Sequence, residues 1–141
     1  MGGSGARRPG GDLCRVSEGA TLDAGGLIAL DRGDRRVLAL LARASETNAP
    51  VTVPATALAQ AVRQPVQQVR LTRLLRQPTT NTVALDRVDA TRVGLVLAST
   101  GTADIADAHV VVCARRAGQR VVTSDPDDLQ GLDPGLELVV V

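Results

Sequence analysis

Five short apolar runs, near residues 21–23, 50–53, 82–85, 120–124 and 136–141, alternate along this chain with longer stretches of helical spacing. The runs are too short for helices, are rich in Val, Leu and Thr, and are bounded by turn-forming residues, which is the pattern of buried strands. Between them, 26–31 with 34–44, 55–63 with 66–77, and 87–99 with 103–117 read as helix pairs broken at Gly33, Pro65 and Gly101. A short helical turn is expected after Pro126. Strands separated by helices pair in parallel, and the helices then cover both faces of the sheet. The fold class expected is α/β, three layers with a central, mainly parallel five-stranded sheet.

At 141 residues the chain is one domain on size alone. Residues 1–20 are Gly-rich and aperiodic and read as a flexible leader in which Cys14 is incidental; 21–141 form the domain. No run approaches the length of a membrane span or a signal peptide, so a cytoplasmic protein is expected.

Composition removes several chemistries. All 16 basic residues are Arg, so there is no P-loop lysine and no Schiff-base lysine. One histidine, His109, excludes a His-rich zinc site, and its place in the apolar stretch 103–117 makes a packed histidine the simpler reading. With no Phe, Tyr or Trp, nucleobases find no aromatic platform and the core must be Leu, Val and Ala. A net charge of +1 argues against binding nucleic acid by bulk charge, though it leaves room for a local Arg face. Cys14 and Cys113 show no CxxC spacing, and Cys113 reads as a small core residue.

The acids fall where the strands run out. Asp23 ends the first run and precedes Ala24-Gly25-Gly26, a turn allowing close approach to a ligand; Asp104 and Asp107 open one helix; Asp125 and Asp128 follow the fourth run. The corresponding place after the second run carries Gln60. Carboxyl ends of parallel strands border the crevice where such sheets bind ligands, and carboxylates gathered there call for a hard divalent cation. The structural alternative is helix capping. It accounts well for Asp125 before Pro126, for Asp104, and for Asp86 and Asp89, but poorly for Asp107 and Asp23. On segment 66–77, Leu71, Leu74 and Leu75 share one helical face and Arg70, Arg73 and Arg76 the other, either a solvated face or a ridge for phosphates.

From Thr21 onward the chain resembles a PIN domain, the fold of VapC-type toxins. Leu22-Asp23-Ala24-Gly25-Gly26-Leu27 is similar to that family's first strand, metal-binding acid and apolar helix. Asp107-Ala108-His109-Val110 is similar to its central acid, with Asp104 as companion, and Val121-Val122-Thr123-Ser124-Asp125 with Asp128 to its late strand, threonine and final acids. Two positions depart from the family: Gln60 stands where Glu is usual, and Gly25 where a small hydroxyl residue is common. The resemblance implies a ribonuclease dependent on Mg²⁺ or Mn²⁺. Asp23, Asp107 and Asp125 would be its catalytic acids and, with Asp104, its metal ligands. Gln60, Thr123 and Asp128 would support them, and Arg70, Arg73 and Arg76 would contact RNA. It also implies a small cognate antitoxin, whose tail could place an Arg among the acids, and a homodimer, for which segment 55–77 is a candidate surface. The alternative is a degenerate PIN fold serving as a binding module, with Gln60 marking lost catalysis. A nucleotide- or flavin-binding domain lacks its Gly-rich loop here.

Overall fold

The computed structural model describes residues 19–141; the leader expected over 1–20 lies, except for its last two residues, outside the described residues. The chain forms β1 (Ala20–Leu22), α1 (Ala24–Asp31), α2 (Arg35–Glu46), β2 (Val51–Pro54), α3 (Ala55–Ala61), α4 (Val69–Leu75), β3 (Thr80–Val83), α5 (Arg87–Thr100), α6 (Ile105–Ala117), β4 (Arg120–Thr123), α7 (Pro126–Leu132) and β5 (Leu138–Val140). All four strand pairings are parallel, in the order β3-β2-β1-β4-β5. The expected α/β architecture is therefore present, with the sheet parallel throughout. No single helix among the described residues is long and apolar enough to cross a membrane.

The strand order decides where a ligand can bind. From β1 the chain steps outward to β2 and β3, then returns past β1 to β4 and β5. Right-handed crossovers put α1 to α4 on one face of the sheet and α5 to α7 on the other. The direction reverses between β1 and β4, and the two crossovers part there, opening a crevice at the carboxyl ends of those strands.

The core beneath that crevice is Leu, Val and Ala, as the lack of aromatics requires, with Leu22, Leu27, Val53, Val110, Val111, Val121, Val122 and Leu129 fully or almost fully buried. Helix α6 is buried over Ala108–Ala114 and fills the space behind β1 and β2. Helix α1 approaches β4 so closely that a Cβ on Gly26 would lie 2.5 Å from the carbonyl oxygen of Val122. Backbone cannot yield as a flexible side chain does, so Gly26→Ala is expected to cost about 1–3 kcal/mol. A urea midpoint lowered with an unchanged slope would show it; an unmoved midpoint would mean that α1 does not sit as described.

Several boundaries differ from expectation. Segment 66–77 contributes only one short helix, α4, because Gln68 replaces the first turn. Its amide oxygen accepts from the backbone of Arg63 and Gln64 at 2.9 and 3.2 Å, and its nitrogen donates to Ala61 at 3.0 Å. Strand β3 begins two residues earlier than its apolar run suggests, because it is an edge strand whose Thr80-Asn81-Thr82 needs only a half-buried surface. Ala24-Gly25-Gly26 is the first turn of α1 rather than a loop.

Candidate metal centre

Three helices begin at the crevice, and an aspartate precedes each of them. Asp23 follows β1 and caps α1, its carboxylate accepting from the Gly26 N–H at 2.7 Å. Asp104 caps α6 in the same manner, accepting from the Asp107 N–H at 2.9 Å. Asp125 occupies the cap position of α7, with Pro126 in the first turn, but its side chain makes no capping bond. The capping assignments made from sequence are thus reversed for two residues: Asp23 caps and the Asp125 side chain does not. The Asp125 side chain turns instead to Asp128, while the Thr123 hydroxyl accepts from the Asp125 N–H at 2.9 Å and hydrogen-bonds the Asp23 carboxylate.

These acids act on one another. Asp23 is buried, and its pKa is raised by loss of solvent, opposed by the Thr123 and Gly26 hydrogen bonds and reinforced by Asp125. Half-buried Asp107 is pushed up to about 7, first by burial and then by Asp104, Asp23, Asp128 and Asp125. Exposed Asp128 is raised mainly through a hydrogen bond with Asp125 and by its charge. The largest charge effects on Asp107 therefore all come from carboxylates. The positive ends of α1, α6 and α7 offset part of this charge, yet Asp23, Asp107 and Asp128 still lie above the usual carboxylate range. Hard oxygen donors are what Mg²⁺ or Mn²⁺ takes as ligands, and in donor type these acids suit such an ion.

The other site residues expected from sequence are distributed as follows. Gln60, near the end of α3, lines a recess with Ile28, Asp31 and Arg63. Arg70 lies against Gly33 and donates to the Asp31 carbonyl at 3.3 Å; with Arg73 it edges an apolar recess lined by Leu30, Leu38 and Leu74. Arg76 is exposed at the end of α4. The departure at Gly25 has a local reason, since a Cβ there would run into the hydroxyl of Ser124. The space of a side chain at position 25 is filled by Ser124, just past the end of β4.

A second polar group lies on the opposite side of α6, and sequence reasoning missed it. Asp89, assigned from sequence to the opening of α5, is buried, and Asp86 does the capping. The Asp89 carboxylate holds Arg116 through two bonds of 2.7 and 2.9 Å, and Nε2 of fully buried His109 lies 3.3 Å away. With Nε2–H donating to Asp89, Nδ1 accepts from the Thr56 hydroxyl at 2.9 Å. His109 is thus the packed histidine expected, and it ties α3, α5 and α6 together. Ligand atoms of Asp89, His109 and Cys113 lie within 4.8 Å of one another, a grouping able to hold a metal in principle. The guanidinium of Arg116 already spans both Asp89 oxygens, and burial pushes the Cys113 thiol up to about 11. Arg116 fills the place of a cation there. The signal in the sequence was Arg116 itself, a basic residue beside Arg115 at the end of a helix whose middle is apolar.

No family model matches the chain, and no curated protein matches it. The fold is similar to that of a chain in the crystal structure of VapBC2 from Rickettsia felis bound to a DNA fragment from their promoter, with a TM-score of 0.60 and 12% identity. The match covers 86% of this chain and 98% of the other. At that identity the likeness establishes the fold, which is PIN-like.

Proposed function

We propose that this chain is a PIN-type endoribonuclease dependent on Mg²⁺ or Mn²⁺, the toxin of a VapBC-like pair held inactive by a small antitoxin. One observation supports the reading: Asp104, Asp23, Asp128 and Asp125 all raise the pKa of half-buried Asp107, and Asp125 and buried Asp23 flank the switch point of a PIN-like sheet. Asp23, Asp104, Asp107 and Asp125 would hold the ion, with Asp128 bonded to Asp125. When bound, the ion supplies Lewis-acid stabilisation of charge on the phosphate and lowers the pKa of water. Thr123 orients Asp23 and the backbone leading to Asp125, so one hydroxyl sets the relation between the acids of β1 and β4. Arg70, Arg73 and Arg76 sit toward the far end of α1 and would grip the RNA backbone rather than the reacting phosphate. Pairing of two copies belongs to the same reading, as does a partner whose arginine enters the acidic crevice.

The test is RNA cleavage with and without Mn²⁺. Wild-type protein is expected to cleave only with the ion, and Asp23→Asn to lose at least about 100-fold in rate, the scale of removing one electrostatic stabiliser from a site. Equal cleavage by both forms would sink the proposal.

Gln60 favours a second reading, a binding module on the same fold, because it brings no charge and lines a recess on the flank of α1. Calorimetric titration separates the two: heat of Mn²⁺ binding that disappears in Asp107→Asn supports the enzyme, and none near neutral pH supports the module.

A further inference from the structure

The recess beside Gln60 is built for hydrogen bonding. It encloses about 430 Å³ between the end of α1 and the turn joining α3 to α4, and presents Asp31, Arg32, Gln60, Arg63, Gln64 and Gln67. The side-chain amides of Gln60, Gln64 and Gln67 make no hydrogen bond to the described residues, and all three side chains are exposed. Their support is fixed: the Gln68 amide pins the turn through three backbone bonds and reaches the Asp31 carboxylate at 3.5 Å. Arg63 is held by the Val62 carbonyl at 2.7 Å. The turn is fixed in place, and the amides on it are free to meet a partner.

We propose that this recess reads a nucleobase of the RNA substrate, adenine in preference to uracil; the proposal rests on the nuclease reading above and specifies its substrate. Helix α1 runs from Asp23 at the crevice to Asp31 at the recess, and a rise of 1.5 Å per residue separates the two places by about 8–12 Å. At roughly 3.4 Å per stacked nucleotide that is about two to three positions from the scissile phosphate. With no aromatic side chain in the chain, recognition there must come from hydrogen bonds and guanidinium planes. A glutamine amide offers a donor and an acceptor side by side and pairs with the N6 and N7 edge of adenine. The Asp31 carboxylate only accepts. It therefore favours the exocyclic amine of adenine over uracil, whose one Watson–Crick donor, N3–H, is flanked by two carbonyl oxygens, while Arg32 and Arg63 draw in the adjoining phosphates.

The experiment measures binding of oligo(A) and oligo(U) of equal length by fluorescence anisotropy, at fixed salt, on full-length Asp107→Asn protein, which does not consume the RNA. Oligo(A) is expected to bind roughly tenfold more tightly, and adding Gln64→Ala with Gln67→Ala is expected to bring the ratio to about one at an unchanged thermal midpoint. Equal binding of the two homopolymers by the parent, no RNA binding, or an undiminished ratio in the glutamine variant overturns the proposal. Cleavage by wild-type protein with Mn²⁺ is followed separately on both RNAs. Discrimination in binding without metal-dependent cleavage keeps the base-reading recess and rejects the nuclease; cleavage with no base preference does the reverse.

Discussion

Asp107→Asn is expected to make the metal-free protein more stable at pH 8 while removing its response to divalent cations. The Asp107 pKa rises from an ordinary carboxylate value to about 7 on folding. Between about pH 4 and 7 the folded state therefore holds more protons than the unfolded one, and stability falls as pH rises through that window. Below about pH 4 both states are protonated and the penalty is absent. The asparagine variant carries no such charge, so its advantage should be near zero at pH 4 and complete by pH 8. Each pKa unit corresponds to about 1.4 kcal/mol; after discounting for partial solvent contact, the gain is roughly 1–3 kcal/mol, or several degrees in thermal midpoint. Mn²⁺ should reverse the ranking by stabilising the wild type through mass action. Because the ion competes with a proton on Asp107, its affinity should weaken as pH drops below 7. Thermal scans at pH 4 and pH 8, with and without Mn²⁺, test all of this; a variant less stable than wild type at pH 8 without metal would contradict it.

The second large effect concerns Arg116. Arg116→Met leaves the Asp89 carboxylate buried beside His109 without its cation. Breaking a buried pair from one side typically costs 3–5 kcal/mol. The Arg116 side chain is 43% exposed, so the loss should fall near the lower bound, about 3 kcal/mol. Asp89 is held down at about 2, first by the Arg116 hydrogen bonds. Its stabilisation is present above the unfolded-state value near 4 and is lost as pH falls from there toward 2. Urea unfolding at pH 7 and pH 3 should therefore show a large deficit for the variant at pH 7 and a smaller one at pH 3. Equal deficits would mean that packing rather than charge is responsible.

These two groups of acids differ in how far the sequence reveals them. Asp23, Asp104, Asp107 and Asp125 sit at junctions between strands and helices, and a junction is visible from periodicity alone. Once the strands are parallel, topology brings the junctions to one end of the sheet. Asp89 is also near a helix start, but its role depends on Arg116, 27 residues away on the next helix. Pairing across two packed helices leaves no local periodicity. Which aspartate caps its helix was equally hidden, because the Asp125 side chain is drawn to Asp128 while Asp23 bonds the Gly26 N–H. The five strands were legible from their β-branched runs, and the one placed two residues late, β3, lies on a sheet edge where apolar character is least required. Gln68 disguised the start of α4 by substituting side-chain bonds for a helical turn.

At the end of the sheet away from the acids, the amide of Gln119 accepts from Thr21 at 2.8 Å and donates to the Pro50 carbonyl at 2.9 Å, joining the approaches to β1, β2 and β4. The two ends of the same strands thus differ in kind, one cross-linked through the neutral amide of Gln119 and the other crowded with like charge. Amide hydrogens near Thr21, Val51 and Val121 should exchange only when the whole protein opens, whereas those in the first turns of α1, α6 and α7 should exchange through local fraying. Such a gradient lets the crevice gain or lose an ion while the strand register beneath it stays fixed.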